Sequence, residues 1–167
     1  MDKQILQLED IVKQQIAAQE RMLGLLARKI DAFRKADQSA LVECCDLENQ
    51  QLQTIGEMEK IRLLLVAELT QILSPKADKP LIMGELAERL PEPARSRLMV
   101  LRLQLREKLE AVQKESSITQ SAAETLLKHM QGLMQSIGGA LTGIGTYSKR
   151  GAPPATAMAI RTFSATA

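Results

Sequence analysis

The sequence predicts an all-α fold: an elongated antiparallel helical hairpin or bundle of three long helices and one short helix, with a flexible C-terminal tail. Three observations carry this. Leu, Ala, Gln, Glu, Lys and Arg dominate the 167 residues, and these are the best helix formers. Sheet-forming aromatics are nearly absent, with no Trp, one Tyr and two Phe. The apolar residues, 45% of the chain, recur mostly at steps of three and four. So few aromatics argue against a packed enzyme core and for thin aliphatic seams between helices.

The first helix is expected over residues 3–35. Ile5, Leu8, Val12, Ile16, Leu23, Leu26, Ile30 and Phe33 form its apolar row, with Gln19 in the gap. The break falls at "KADQS", where Asp37 or Ser39 can cap a second helix over 39–73. That helix carries Leu41, Cys45, Leu52, Ile55, Met58, Ile61, Leu65, Leu69 and Ile72. A short connection between two helices of similar length implies an antiparallel hairpin. "SPKADKP", 74–80, reads as a linker. A short helix over 81–90, with Leu86 and Leu90, is stopped by Pro91 and Pro93.

The third long helix is expected over 94–137. Leu98, Leu105, Val112, Thr119, Leu126 and Leu133 lie seven apart. Arg102, Leu109, Ser116, Ala123, Met130 and Ile137 follow each of them by four. The two rows read as the d and a lines of a heptad seam. Ser116 and Thr119 make its middle polar, which favours one helix of a bundle over an independent dimeric zipper. Residues 1–137 thus read as the helical bundle. Residues 138–167 read as a glycine-rich end and a tail too low in apolar content to offset its chain entropy.

Catalytic chemistry has little to work with. His129 is the single histidine and stands beside Met130. Cys44 and Cys45 are adjacent, about 100° apart on a helix, and do not readily form a disulfide. No Glu-x-x-His pair suited to a carboxylate-bridged metal site occurs. No cofactor or metal is expected. Gly138, Gly139, Gly143 and Gly145 follow a helix and match neither the Walker spacing nor a dinucleotide fingerprint. The Gly138-Gly139 pair reads instead as a helix C-terminus.

Charge is mildly asymmetric, −3 over residues 1–73 and +5 over 74–167, which sum to the net +2. That is too diffuse for a nucleic-acid binder. The N-terminus lacks the apolar run of a signal peptide, and "LLLVA" at 63–67 is far too short to span a bilayer. A soluble, cytoplasmic protein is expected.

What remains is binding. Leu126, Leu127, Met130, Leu133, Met134 and Ile137 cluster on the last helix, and methionine suits surfaces that adapt to a partner. These residues either close the bundle or dock a partner, and their spacing leaves both open.

The layout resembles the flagellar type III export chaperones of the FlgN type. Three stretches carry the likeness: "DAFRKADQSALVECCDLENQQLQTIGEMEKIRLLL", "IMGELAERLPEPARSRLMVLRLQLREKLEAVQ", and "AAETLLKHMQGLMQSI" followed by "TYSKRG". Family members commonly place a Tyr, a small residue and a Gly after the last helix. Here Tyr147 is followed by Ser148, and "KESSITQSAAE" stands where the family often has asparagines. The resemblance implies a cytoplasmic chaperone without ATPase activity, a monomer or small homo-oligomer. It would bind the C-terminal helices of hook-associated proteins (FlgK/FlgL type), keep them unassembled and deliver them to the flagellar export apparatus. Docking would fall on Leu126, Met130, Leu133 and Ile137, with Tyr147 as an anchor or cap. The competing expectation is a non-enzymatic coiled-coil adaptor or structural protein.

Overall fold

A computed structural model describes residues 1–143; the tail expected to follow lies outside the described residues. The elements are α1 (Asp2–Lys35), α2 (Gln38–Leu73), α3 (Met83–Glu88) and α4 (Ala94–Gly143). Of the described residues 88% are helical and none lies in a strand, so the chain is all-α, with three long helices and a short one. By its internal contacts it divides into two compact units, residues 1–124 and 125–167.

In the first unit, α1 and α2 form an antiparallel hairpin closed by two residues. Ala36 adopts the left-handed conformation (φ 51°, ψ 34°) that ends α1. Its N–H and that of Asp37 donate to the Phe33 and Ala32 carbonyls at 3.2 and 3.0 Å. Asp37 is extended, and its side chain accepts the Ala40 N–H at 3.0 Å, so Asp37 rather than Ser39 is the cap. Register is then written in cross-links of growing sequence separation. Lys29 meets Glu48, Gln51 donates to the Ala18 carbonyl, Gln15 donates to Glu59, and Gln4 donates to Glu68.

The Thr70 hydroxyl ties the linker to the end of α2. It donates to the Val66 carbonyl at 2.7 Å and accepts the Leu81 N–H at 3.0 Å. α3 then delivers Leu86 and Ala87 to the core, and Leu90 joins them just past its end. The Glu92 carboxylate accepts from the N–H and hydroxyl of Ser96, placing negative charge at the start of α4, where the helix dipole favours it.

Two ion pairs set α4 on α1. Arg97 grips both carboxylate oxygens of Glu9, its Nε at 3.0 and 3.1 Å, and Glu9 is 3% exposed. Lys108 meets Glu20 at 2.8 Å. Both pairs are 88 residues apart, so this part of α4 runs alongside α1 in the same direction. The core between the helices is aliphatic. Leu8 and Val12 of α1, Leu69 of α2, Leu86 of α3 and Leu98 of α4 are all fully buried.

Three details differ from the sequence reading. The buried row of α4 is Ala94, Leu98, Leu101 and Leu105, with Thr119 further on, while Arg102, Leu109 and Ser116 are exposed. The frame that placed Arg102 in the seam is displaced by one residue, because a guanidinium would enter the core unpaired where Leu101 buries freely. On α2, Cys44 is buried and Cys45 is exposed, and Val66 is buried while Leu52, Ile61 and Ile72 stay exposed. The buried face of α2 turns toward two neighbours, so no single row describes it. Finally, α4 continues through Gly138 and Gly139 to Gly143. A helical glycine costs only about 1 kcal/mol relative to alanine. The helix formers around the pair carry the backbone through.

Two stability predictions follow the packing. Leu98→Ala is expected to destabilise the chain by about 2–5 kcal/mol, and Leu103→Ala, at an exposed position, by less than about 0.5 kcal/mol; urea unfolding followed by circular dichroism compares them. Ala36→Gly is expected to stabilise it by about 1 kcal/mol, since alanine in the left-handed region carries a strain that glycine lacks.

Candidate functional site

The residues singled out for partner binding fall in the second unit, on residues 126–137 of α4. Within the helix they lie at steps of one, three and four, so they share a broad face about 16 Å long. Leu126 is half-buried. Leu127, Met130, Leu133, Met134 and Ile137 are exposed by 59, 53, 51, 72 and 59%. Five large apolar side chains on one run of helix, each more than half in water, form a contiguous patch of the kind that marks an interaction site. Lys128, His129, Gln131 and Gln135 are exposed among them and supply a polar border. Tyr147 lies outside the described residues.

The first unit holds a feature that the heptad reading concealed. Two clefts open between the α1–α2 hairpin and α4. One, of about 540 Å³, is walled by Met22, Leu26, Leu52, Ile55, Leu109 and Val112. The other, of about 430 Å³, includes Gln15, Glu59, Arg62, Arg102 and Arg106. They share Gln19, Ile55 and Leu109, so they form one groove. The only sequence signal for it was the intrusion of Arg102 at the start of a row read as a seam.

Electrostatics tighten both ends of the groove. Glu59 accepts from Arg62 Nε at 2.8 Å and from Gln15 Nε2 at 2.9 Å. The Arg62 guanidinium, against the effect of burial and with help from Gln15, holds the Glu59 carboxyl below its ordinary value. Arg62 is raised in turn by Glu59. At the other end burial opposes the charge of Lys29. The Glu48 carboxylate, 2.5 Å from its Nζ, overcomes that and leaves the ammonium above its ordinary pKa.

Among the described residues no three His, Cys, Asp or Glu side chains converge to hold a metal. No helix there is long and apolar enough to cross a membrane. Cys44 and Cys45 are free thiols.

The fold and surface define a class: all-α proteins with an exposed apolar helical stripe. The model of the FlgN protein family matches residues 1–155, and the chain belongs to that family, which is one of non-catalytic flagellar export chaperones. No curated protein and no solved structure matches the chain.

The depressed Glu59 carboxyl gives a pH prediction. A carboxyl lowered on folding contributes stability that is present above its ordinary value near 4.5 and lost as pH falls through the folded value. Glu59→Gln is expected to be less stable than the wild type at neutral pH. The gap should narrow as pH falls below 4.5 and close once pH is below the lowered folded value. Unfolding midpoints across that range measure it.

Proposed function

We propose that the chain is a cytoplasmic bacterial chaperone for hook-associated proteins. It would hold their C-terminal helices on Leu126, Leu127, Met130, Leu133, Met134 and Ile137, with Tyr147 as an added aromatic anchor, and deliver them to the flagellar export apparatus. The observation that carries this reading is the exposure of the stripe. Five large apolar side chains stand in water at helical spacing on a chain that belongs to an export-chaperone family.

The physics of the contact suits transient holding. An assembly-competent terminus displays an apolar helical stripe before it polymerises. Covering the exposed half of each chaperone side chain contributes about 1 kcal/mol. Lost translational freedom and side-chain ordering offset much of that sum. The result is a moderate affinity that can be reversed at the export machinery. The two methionines reshape at low cost, so related client helices can share one surface. Release by a competing contact at the export machinery would need no nucleotide.

Met130→Glu combined with Met134→Glu is expected to weaken binding of a hook-associated protein by at least about tenfold while leaving the helical content unchanged. A chain ending at Ser117 should keep the folded hairpin and lose the client. Co-purification and calorimetry with the purified client read both. Full-strength binding by the shortened chain would overturn the assignment of the site.

A further inference from the structure

We propose that the groove between the α1–α2 hairpin and α4 in the first unit is a separate docking site, and that its occupant is an acidic amphipathic helix of a partner protein. The proposal does not depend on the client stripe at 126–137.

Shape and chemistry both select that occupant. The two clefts join through Gln19, Ile55 and Leu109 into one groove. Its walls include Leu52 and Leu109, which remain 58 and 46% exposed although they sit beside the core. A stretch of α4 from Arg102 to Val112 borders it, about 15 Å long, matching two to three turns of a docked helix. Apolar walls of this length ask for an apolar stripe.

The charge is at one end. Arg62, Arg102 and Arg106 line the same cleft. Arg62 is taken by Glu59 and Arg106 by Glu110. Among the described residues no carboxylate pairs with Arg102. Its guanidinium lies against Gly84, where an added Cβ would come within 3.2 Å of Cζ and 3.3 Å of Nε. A side chain at that position would push the guanidinium by a few tenths of an ångström. An unmatched, planar guanidinium at the end of an apolar groove presents two parallel N–H donors to a carboxylate.

A second polar atom narrows the ligand further. Gln15, 3% exposed and in the same cleft, has an amide oxygen that is buried and without a hydrogen-bond partner. It needs a donor. A partner helix offers carboxylates for Arg102 and, from a Ser, Thr, Asn or Gln side chain, a donor for Gln15, whereas a bare phosphate offers chiefly acceptors.

The test is a titration of the full-length, isotopically labelled protein, followed by NMR. The probes are a synthetic amphipathic peptide of about 15 residues with Leu on one face and Glu on its flanks, the same peptide with Lys for Glu, and inorganic phosphate. The Glu peptide is expected to shift the Arg102 Nε–H signal and the methyls of Leu105 and Leu109, and the Lys peptide to leave them unmoved. Arg102→Glu should weaken binding at least about tenfold, and Arg102→Lys less, because the ammonium keeps charge but loses the fork. Arg102 is exposed, so both of its variants should keep the wild-type unfolding midpoint. The Met130→Glu, Met134→Glu double variant should bind the Glu peptide as the wild type does, which separates this site from the client stripe. Equal affinity for the Lys peptide overturns the proposal. So does wild-type affinity in Arg102→Glu, a shift confined to residues 126–137, or displacement of the peptide by millimolar phosphate.

Discussion

Arg97 closes on Glu9 with both carboxylate oxygens engaged, and Glu9 is almost wholly removed from water. A buried carboxylate without a partner is strongly unfavourable, so once Glu9 lies under α4 the rotation and axial position of α4 are fixed by the fork that neutralises it. The rest of the first unit depends on this setting. It turns Leu98, Leu101 and Leu105 onto the aliphatic core and leaves Arg102 at the mouth of the groove. Hydrophobic burial supplies most of the stabilising free energy, but it is non-directional. Leucines alone would tolerate a one-residue slip, and the ion pair does not.

The aliphatic seams shape the function as much as the fold. With few aromatics the helices meet through Leu, Val, Ile, Met and Ala, and buried polar groups such as Gln15, Gln19 and Thr119 interrupt the seam. Thr119 satisfies itself by donating to the Glu115 carbonyl at 2.8 Å. Such interruptions weaken a seam in exchange for register. Beyond residue 124 the apolar side chains stand in water, from Leu127 to Ile137. A surface of this kind is stabilised by whatever covers it.

Much of this was legible in the sequence, and the exceptions have physical causes. The order and type of the helices followed from periodicity and punctuation, and the turn at Ala36-Asp37 from one capping residue. The stripe at 126–137 was visible as a cluster, though spacing alone could not say whether it faced a core or water. Three points escaped. Arg102 lay on a heptad line that Leu101 displaces, because counting by fours cannot see which residue a neighbouring helix can bury. Cys44 and Cys45 exchanged roles, since adjacent positions differ by only 100° and α2 faces two partners. The Gly138-Gly139 pair stays helical because intrinsic propensity is a weak prior that its surroundings override. The groove was illegible for a different reason, since it is made by three helices whose relative placement no local pattern encodes.

The constant offset of α4 against α1 bears on how the chain reaches this state. The hairpin can close progressively from its two-residue turn, because each contact outward spans only slightly more chain than the last. The contacts of α4 with α1 have no such gradient. Glu9–Arg97 and Glu20–Lys108 enclose loops of the same length, so the first of them meets the whole closure entropy at once and the others follow with little further loss. Docking of α4 is therefore the slow, non-local step, set by contact order rather than by helix formation. During synthesis the hairpin is complete when Leu73 is made, and Leu105 follows roughly 2–6 s later at ordinary elongation rates. For that interval the core of the first unit lacks the Leu98, Leu101 and Leu105 that α4 adds to it.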